Sequence, residues 1–151
     1  MEETIRRIGV IGAGTMGSGI AQLFAASGFE VVLTDQSTEF LERGMAGIRS
    51  RLAKSVDKGK LSPADAEAAV GRIRPVAGVS ELSGCGLLVE CIREDRAAKA
   101  ELFAGLGRLE LGDAIIASNT SALSITELAM QYRDPARVIG MHFFNPVEAM
   151  A

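Results

Sequence analysis

Six residues near the N-terminus, Gly12-Ala13-Gly14-Thr15-Met16-Gly17, leave few ways for the chain around them to fold. Before them, Ile8-Gly9-Val10-Ile11 is a short apolar run of strand type. After them, Ser18 to Ser27 reads as a helix of small residues carrying Ile20, Leu23 and Phe24, with Gly28 as its C-terminal cap. Phe29 to Thr34 holds Val31-Val32-Leu33, a second buried strand, and Asp35 closes it 23 positions after Gly12. Strand, glycine turn, helix and strand in so short a stretch form a β-α-β unit. The glycines then have separate tasks. Gly12 permits a tight turn, Gly14 lets the backbone approach a pyrophosphate, and Gly17 lets the helix pack on the strand. With Ala13, Thr15 and Met16 they make a candidate phosphate loop at a helix N-terminus, where free N–H groups face the ligand. Asp35 can accept hydrogen bonds from a ribose 2′-hydroxyl and would repel a 2′-phosphate, so the pattern favours NAD over NADP. The bland alternatives are a glycine turn without a ligand and a solvated acid at a strand end.

The same alternation continues along the chain. Leu41, Met45, Ile48 and Leu52 form one apolar stripe of a long helix, and Arg51, Lys54 and Lys58 lie together on another side. That basic face suits phosphates, or is simply solvated. Ser62-Pro63-Ala64-Asp65 opens another helix, with a serine cap and proline at the first position, running to about Gly71. Ile73 to Ala77 and Leu87 to Ile92 read as strands, Asp95 to Leu109 as a helix, and Ala114 to Ala117 as a strand. Ser124-Ile125-Thr126-Glu127 is a capping box, and Val138 to Met141 a last strand. Strands that are continuous apolar runs, alternating with helices, predict a doubly wound, mainly parallel α/β sheet of Rossmann type, one domain over residues 1–151.

Composition excludes several classes. Apolar residues make up 48 %, too many for a disordered chain. The net charge is −3, which argues against nucleic acid as a partner. Two cysteines, Cys85 and Cys91, form no CxxC motif, and His142 is the single histidine, so no metal site is expected. Unpaired cysteines suit a reducing compartment. The start Met1-Glu2-Glu3-Thr4 lacks the basic region of a signal peptide, and no run of 18 apolar residues exists, so a cytoplasmic protein off the membrane is expected.

Two further clusters fall at the carboxyl ends of strands, the edge where open α/β sheets bind ligands. One is Ser118-Asn119-Thr120-Ser121, whose polar side chains can meet a nicotinamide ribose or a substrate oxygen. The other is His142-Phe143-Phe144-Asn145-Pro146. A histidine there can exchange the proton that an alcohol/ketone interconversion moves alongside a hydride. Taken with Val10 to Gln22 and Leu88-Val89-Glu90, these strings resemble the NAD-binding domain of the 3-hydroxyacyl-CoA dehydrogenases, over essentially the whole chain. The resemblance implies NAD as cofactor and conversion of 3-hydroxyacyl-CoA to 3-oxoacyl-CoA. It implies that His142 is the general acid/base and that Ser121 hydrogen-bonds the substrate oxygen and the cofactor. It places Glu94, Lys99 and Asn119 beside the cofactor, and Lys58, Lys99 and Asn145 toward substrate, with Arg51 and Lys54 completing the basic face. The family also carries, beyond the point where this sequence stops at Ala151, a glutamate that orients the imidazole and a helical domain that covers the substrate and forms the dimer. The chain is therefore expected to be the cofactor half of a dehydrogenase and a poor catalyst by itself, with a homodimer expected only of the complete protein. The alternatives are a stand-alone NAD-binding module without catalysis, and a related β-hydroxyacid or sugar-acid dehydrogenase.

Overall fold

Apolar runs with no polar alternation must be covered on both faces. The computed structural model, which describes residues 4–147, does this with one sheet. The acidic start Met1-Glu2-Glu3 and the chain end at Ala151 lie outside the described residues. In chain order the elements are β1 (Arg7–Ile11), α1 (Thr15–Ala26), β2 (Glu30–Thr34), α2 (Thr38–Asp57), α3 (Pro63–Gly71) and β3 (Ile73–Val76). There follow β4 (Leu87–Glu90), α4 (Arg96–Leu106), β5 (Ile115–Ser118), α5 (Ile125–Ala129) and β6 (Val138–Gly140), with 3-10 turns at Val79–Leu82 and Pro135–Arg137. The strand order is β3-β2-β1-β4-β5-β6, every pair parallel. β1 is central: Ile8 pairs with Val31 on one side and Leu87 on the other. Pro75 sits in β3, an edge strand, where its missing N–H costs least.

Alternate residues of each strand serve opposite faces. Ile8, Val10, Val31, Leu33, Leu87 and Val89 pack under α1, α2 and α3 with Ile20, Met45 and Ile48. Ile11, Val32, Leu88 and Ile116 pack under α4 and α5 with Phe103, Leu106 and Leu128. After β1 the chain winds outward to β2 and β3, then returns to β4 on the other side of β1. The crossovers diverge there, which opens a cleft at the carboxyl edge between β1 and β4.

The helix boundaries differ from the sequence expectation in an instructive place. α1 starts at Thr15, three residues before Ser18, so Gly17 lies inside its first turn. α4 spans Arg96–Leu106, with Asp95 as its cap and Gly107 ending it, so Leu109 falls outside. Side chains cap the other helices: Ser37, Ser62, Asp95 and Ser124 each accept a bond from a first-turn N–H. α1 begins on Gly14 with no side-chain cap and no acid in its first turn.

Candidate cofactor and active site

The glycine loop is built by backbone contact. Gly12 has φ 103°, a left-handed conformation, and its N–H donates to the Thr34 carbonyl at 2.8 Å. A Cβ on Gly12 would stand 2.7 Å from the Cys91 carbonyl oxygen, and one on Gly17 only 1.7 Å from the Gly12 carbonyl oxygen. A Cβ on Gly14 would meet nothing within 4 Å, because Gly14 faces solvent. The loop is thus closed against the protein at Gly12 and Gly17 and open outward at Gly14, above an uncapped helix N-terminus. An uncapped first turn presents N–H donors and the positive end of the helix dipole to an anion. These residues fit a dinucleotide pyrophosphate.

Asp35 stands beside that loop and is not merely solvated. One carboxylate oxygen accepts from the Ala13 N–H at 2.8 Å and the other from the Ser37 N–H at 2.9 Å. It braces the loop, and the remaining lone pairs of its oxygens can still accept from a ribose hydroxyl.

On the other side of β1 lies a cleft of about 300 Å³ lined by Met16, Cys91, Ile92, Glu94, Lys99, Asn119, Ser121 and residues 142–145. It joins the candidate residues from the glycine loop, the β4 end, the β5 end and the segment after β6. His142 is exposed, its ring edge-on to Phe144 with centroids 4.8 Å apart. The segment carrying it is pinned at several points. Met141 N–H donates to the Ser118 carbonyl at 2.9 Å, and Phe143 N–H to Asn119 Oδ1 at 2.7 Å. Phe143 also packs edge-on to Phe24, and Val147 is buried in the core under α1. Asn119 therefore holds the histidine segment in place as well as lining the cleft.

Beneath the cleft is a buried polar network absent from the sequence reading. Glu90, fully buried at the end of β4, accepts from Lys99 Nζ at 2.6 Å and the Ile92 N–H at 2.8 Å through Oε1, and from Ser118 Oγ at 2.5 Å through Oε2. Lys99, on α4, is 1 % exposed, so its ammonium is spent on Glu90 rather than presented at the surface. Glu94 lies above, 3.8 Å from the same ammonium. It accepts hydrogen bonds from Thr120 Oγ1 and the Ser121 N–H. Partial desolvation pushes the Glu94 carboxyl up, but the bonds from Thr120 and Ser121 and the charges of Lys99 and His142 outweigh it and hold it below the usual carboxylate range. Cys91 also lines the cleft. Burial, and then the Glu90 charge, push its thiol far above the ordinary range against the pull of Lys99, so it is not a thiolate nucleophile. Among the described residues no three His, Cys, Asp or Glu side chains group as a metal site, and no helix is long and apolar enough to cross a membrane.

The basic helix face is divided. Arg51 is half-buried and turned toward α1, donating to Gln22 Oε1 at 2.8 Å and Ser18 Oγ at 3.2 Å. Lys54 is exposed on α2, and Lys58 is exposed just past its end. The three residues do not form one free basic surface.

Fold and site together define a dinucleotide-binding domain of Rossmann type with a histidine at the far end of its cleft. The family model for "3-hydroxyacyl-CoA dehydrogenase, NAD binding domain" matches residues 7–151, and the chain belongs to that family as its NAD-binding domain. It is 48 % identical over 144 residues to a probable 3-hydroxybutyryl-CoA dehydrogenase of Deinococcus radiodurans, covering 95 % of this chain and 51 % of that protein. It is 38 % identical to a 3-hydroxybutyryl-CoA dehydrogenase of Mycobacterium tuberculosis, covering 99 % and 53 %. The crystal structure of (S)-3-hydroxybutyryl-CoA dehydrogenase from Ralstonia eutropha superimposes with a TM-score of 0.92 at 40 % identity, over 95 % of this chain and 51 % of that one. The chain thus spans about half the length of these relatives.

Proposed function

We propose that this domain serves an NAD-dependent dehydrogenase interconverting 3-hydroxyacyl-CoA and 3-oxoacyl-CoA. The observation that carries the reading is the convergence of His142, Ser121 and Asn119 on a cleft that begins at the open glycine loop. NAD supplies the hydride acceptor when bound. Gly12 to Gly17 hold its pyrophosphate and Asp35 its adenosine ribose. Glu94 and Asn119 line the end where the nicotinamide half must lie. His142 takes the proton of the 3-hydroxyl group during oxidation and returns it during reduction, and Ser121 hydrogen-bonds the same oxygen. Lys54 and Lys58, with Arg51 behind them and Asn145 at the cleft, face the CoA moiety. Lys99 acts through Glu90 and Glu94, holding the cleft floor.

The cleft is open to water on the described residues, and hydride transfer needs carbon, nicotinamide and imidazole held within tenths of an ångström. Turnover therefore requires the protein that relatives carry beyond the matched half, and dimerisation is assigned to that complete protein. The test is the chain joined to the unmatched part of the Deinococcus radiodurans relative. Acetoacetyl-CoA should drive NADH oxidation in the joined protein, with at most a trace in residues 1–151. His142→Gln in the joined protein should lose at least about a thousandfold in kcat while keeping NAD affinity. An active His142→Gln variant, or full turnover by residues 1–151, overturns the proposal.

A further inference from the structure

We propose that Glu94 reads the oxidation state of the dinucleotide, favouring the cationic NAD+ ring over the neutral ring of NADH. The inference rests on the assignment of NAD to this cleft. The dinucleotide is divided by the fold. Asp35, at the β2 end, and the glycine loop, at the α1 N-terminus, take the adenosine half and the pyrophosphate. The other half must continue across β1 to the β4 and β5 ends, into the cleft where Glu94, Lys99 and His142 lie.

The charges in that cleft do not cancel. Lys99 is its buried cation, and Glu90 already claims it at 2.6 Å, both side chains being at most 2 % exposed. Glu90 and Lys99 are a closed neutral pair. Glu94 is 3.8 Å from the ammonium, at the outer limit of pairing, and its side chain remains 42 % exposed toward the cleft. Its carboxylate is fixed in place by Thr120 Oγ1 and the Ser121 N–H. Glu90 and Lys99 cancel, so the Glu94 carboxylate is the surplus charge of the cleft, held in place by Thr120 and Ser121, and His142 offsets it only in its protonated form. An oxidised nicotinamide ring has a positive charge that the reduced ring lacks, so only the oxidised form gains from it. At the edge of a wet cleft, where the effective dielectric constant is high, a charge pair about 5 Å apart changes affinity by roughly three- to tenfold.

Calorimetric titration of the 151-residue chain with NAD+ and with NADH tests this, in the parent, Glu94→Gln and Glu94→Asp proteins. Glutamine can accept from the Ser121 N–H through its oxygen and donate its NH2 to Thr120 Oγ1. Any structural loss from that exchange falls on both forms of the dinucleotide, so a purely structural role would leave the ratio of the two affinities where it was. Glu94→Gln should weaken NAD+ roughly three- to tenfold and leave NADH within about twofold, while Glu94→Asp keeps the parent ratio to within about twofold. Equal weakening of both forms, or an unchanged ratio in Glu94→Gln, overturns the inference while leaving the NAD reading intact. A parent that binds neither form overturns both. Thermal melts of the variants accompany the titrations, and exposure of the Glu94 side chain means both should fold as the parent does.

Discussion

Gly14 and Gly17 are three residues apart, and the structure gives their alanine variants unequal losses of stability and the same consequence for cofactor binding. In a helix, alanine is favoured over glycine by about 1 kcal/mol. At Gly17 that gain is overwhelmed. A Cβ there stands 1.7 Å from the Gly12 carbonyl oxygen, where ordinary contact begins at 3.4 Å, so the start of α1 must move by about 3.4 − 1.7 = 1.7 Å. Overpacking against rigid backbone costs about 1–3 kcal/mol or more. A net loss near 2 kcal/mol lowers Tm by roughly 4–8 °C in a domain of this size. The shift also takes the first-turn N–H groups away from the proposed pyrophosphate position, and each lost bond to a charged group is worth about 1.5–3 kcal/mol. NAD+ should bind at least tenfold more weakly, since about 1.4 kcal/mol is tenfold. At Gly14 φ is −70° and a Cβ meets nothing within 4 Å, so alanine fits the free protein. It loses less than about 1 kcal/mol as a poorer cap. The added methyl stands where the proposed pyrophosphate would approach, and NAD+ should again bind at least about tenfold more weakly. Melting curves followed by circular dichroism and calorimetric titration with NAD+ decide the matter. A Gly17→Ala protein that melts with the parent, or a Gly14→Ala protein that binds NAD+ as well as the parent, refutes the reasoning.

Asp35→Asn removes the charge that repels a 2′-phosphate, so the gap between NAD+ and NADP+ affinities should narrow. It also turns an amide NH2 toward the Ala13 or Ser37 N–H, and urea denaturation should show a loss of about 1–3 kcal/mol. Arg51→Ala leaves the buried Ser18 and Gln22 without their partner and should cost about 1–3 kcal/mol in the same assay, whereas Lys54→Ala should fall within about 0.5 kcal/mol of the parent. Burial pushes the Cys85 thiol from 9.0 up to about 11, against the pull of Arg7 and Arg74. A raised thiol pKa stabilises the fold fully below the unfolded value, 9.0, and that stability is lost as pH rises toward about 11. Between pH 8 and 11 the parent should therefore lose about 2–3 kcal/mol more than Cys85→Ala does, by guanidinium denaturation at each pH.

Most strands were legible because they hold a short unbroken apolar run, and a run that must be covered on both faces leaves a parallel sheet as the natural arrangement. β3, Ile73-Arg74-Pro75-Val76, is the exception, a broken run at the sheet edge. The glycine loop was legible for a related reason: three glycines at that spacing between strand and helix answer one steric problem. The start of α1 was not. Its first turn is made of the loop itself, and Gly14 carries no capping side chain to mark the boundary. Arg51 shares a helix side with Lys54 and Lys58, but it also borders Ile48 and Leu52 of the buried stripe, and periodicity cannot say which neighbour it will join. The Glu90–Lys99–Ser118 network was invisible because its members come from a strand, a helix and a second strand, and meet only after folding. The one clue was a glutamate closing the apolar run Leu87-Leu88-Val89. His142, Ser121 and Asn119 were legible as candidates. That Asn119 pins the histidine segment through the Phe143 N–H was not, because a loop side chain's direction is not written in its spacing.

The central claim is that one dinucleotide spans from Asp35 to His142, and the single histidine allows it to be tested directly. The imidazole proton signals of the 151-residue chain can be followed by NMR during titration with NADH and, separately, with ADP, which carries the adenosine half and the phosphates alone. The account predicts that saturation with NADH shifts the His142 signals while saturation with ADP leaves them in place. NADH binding that leaves the His142 signals unmoved would contradict it.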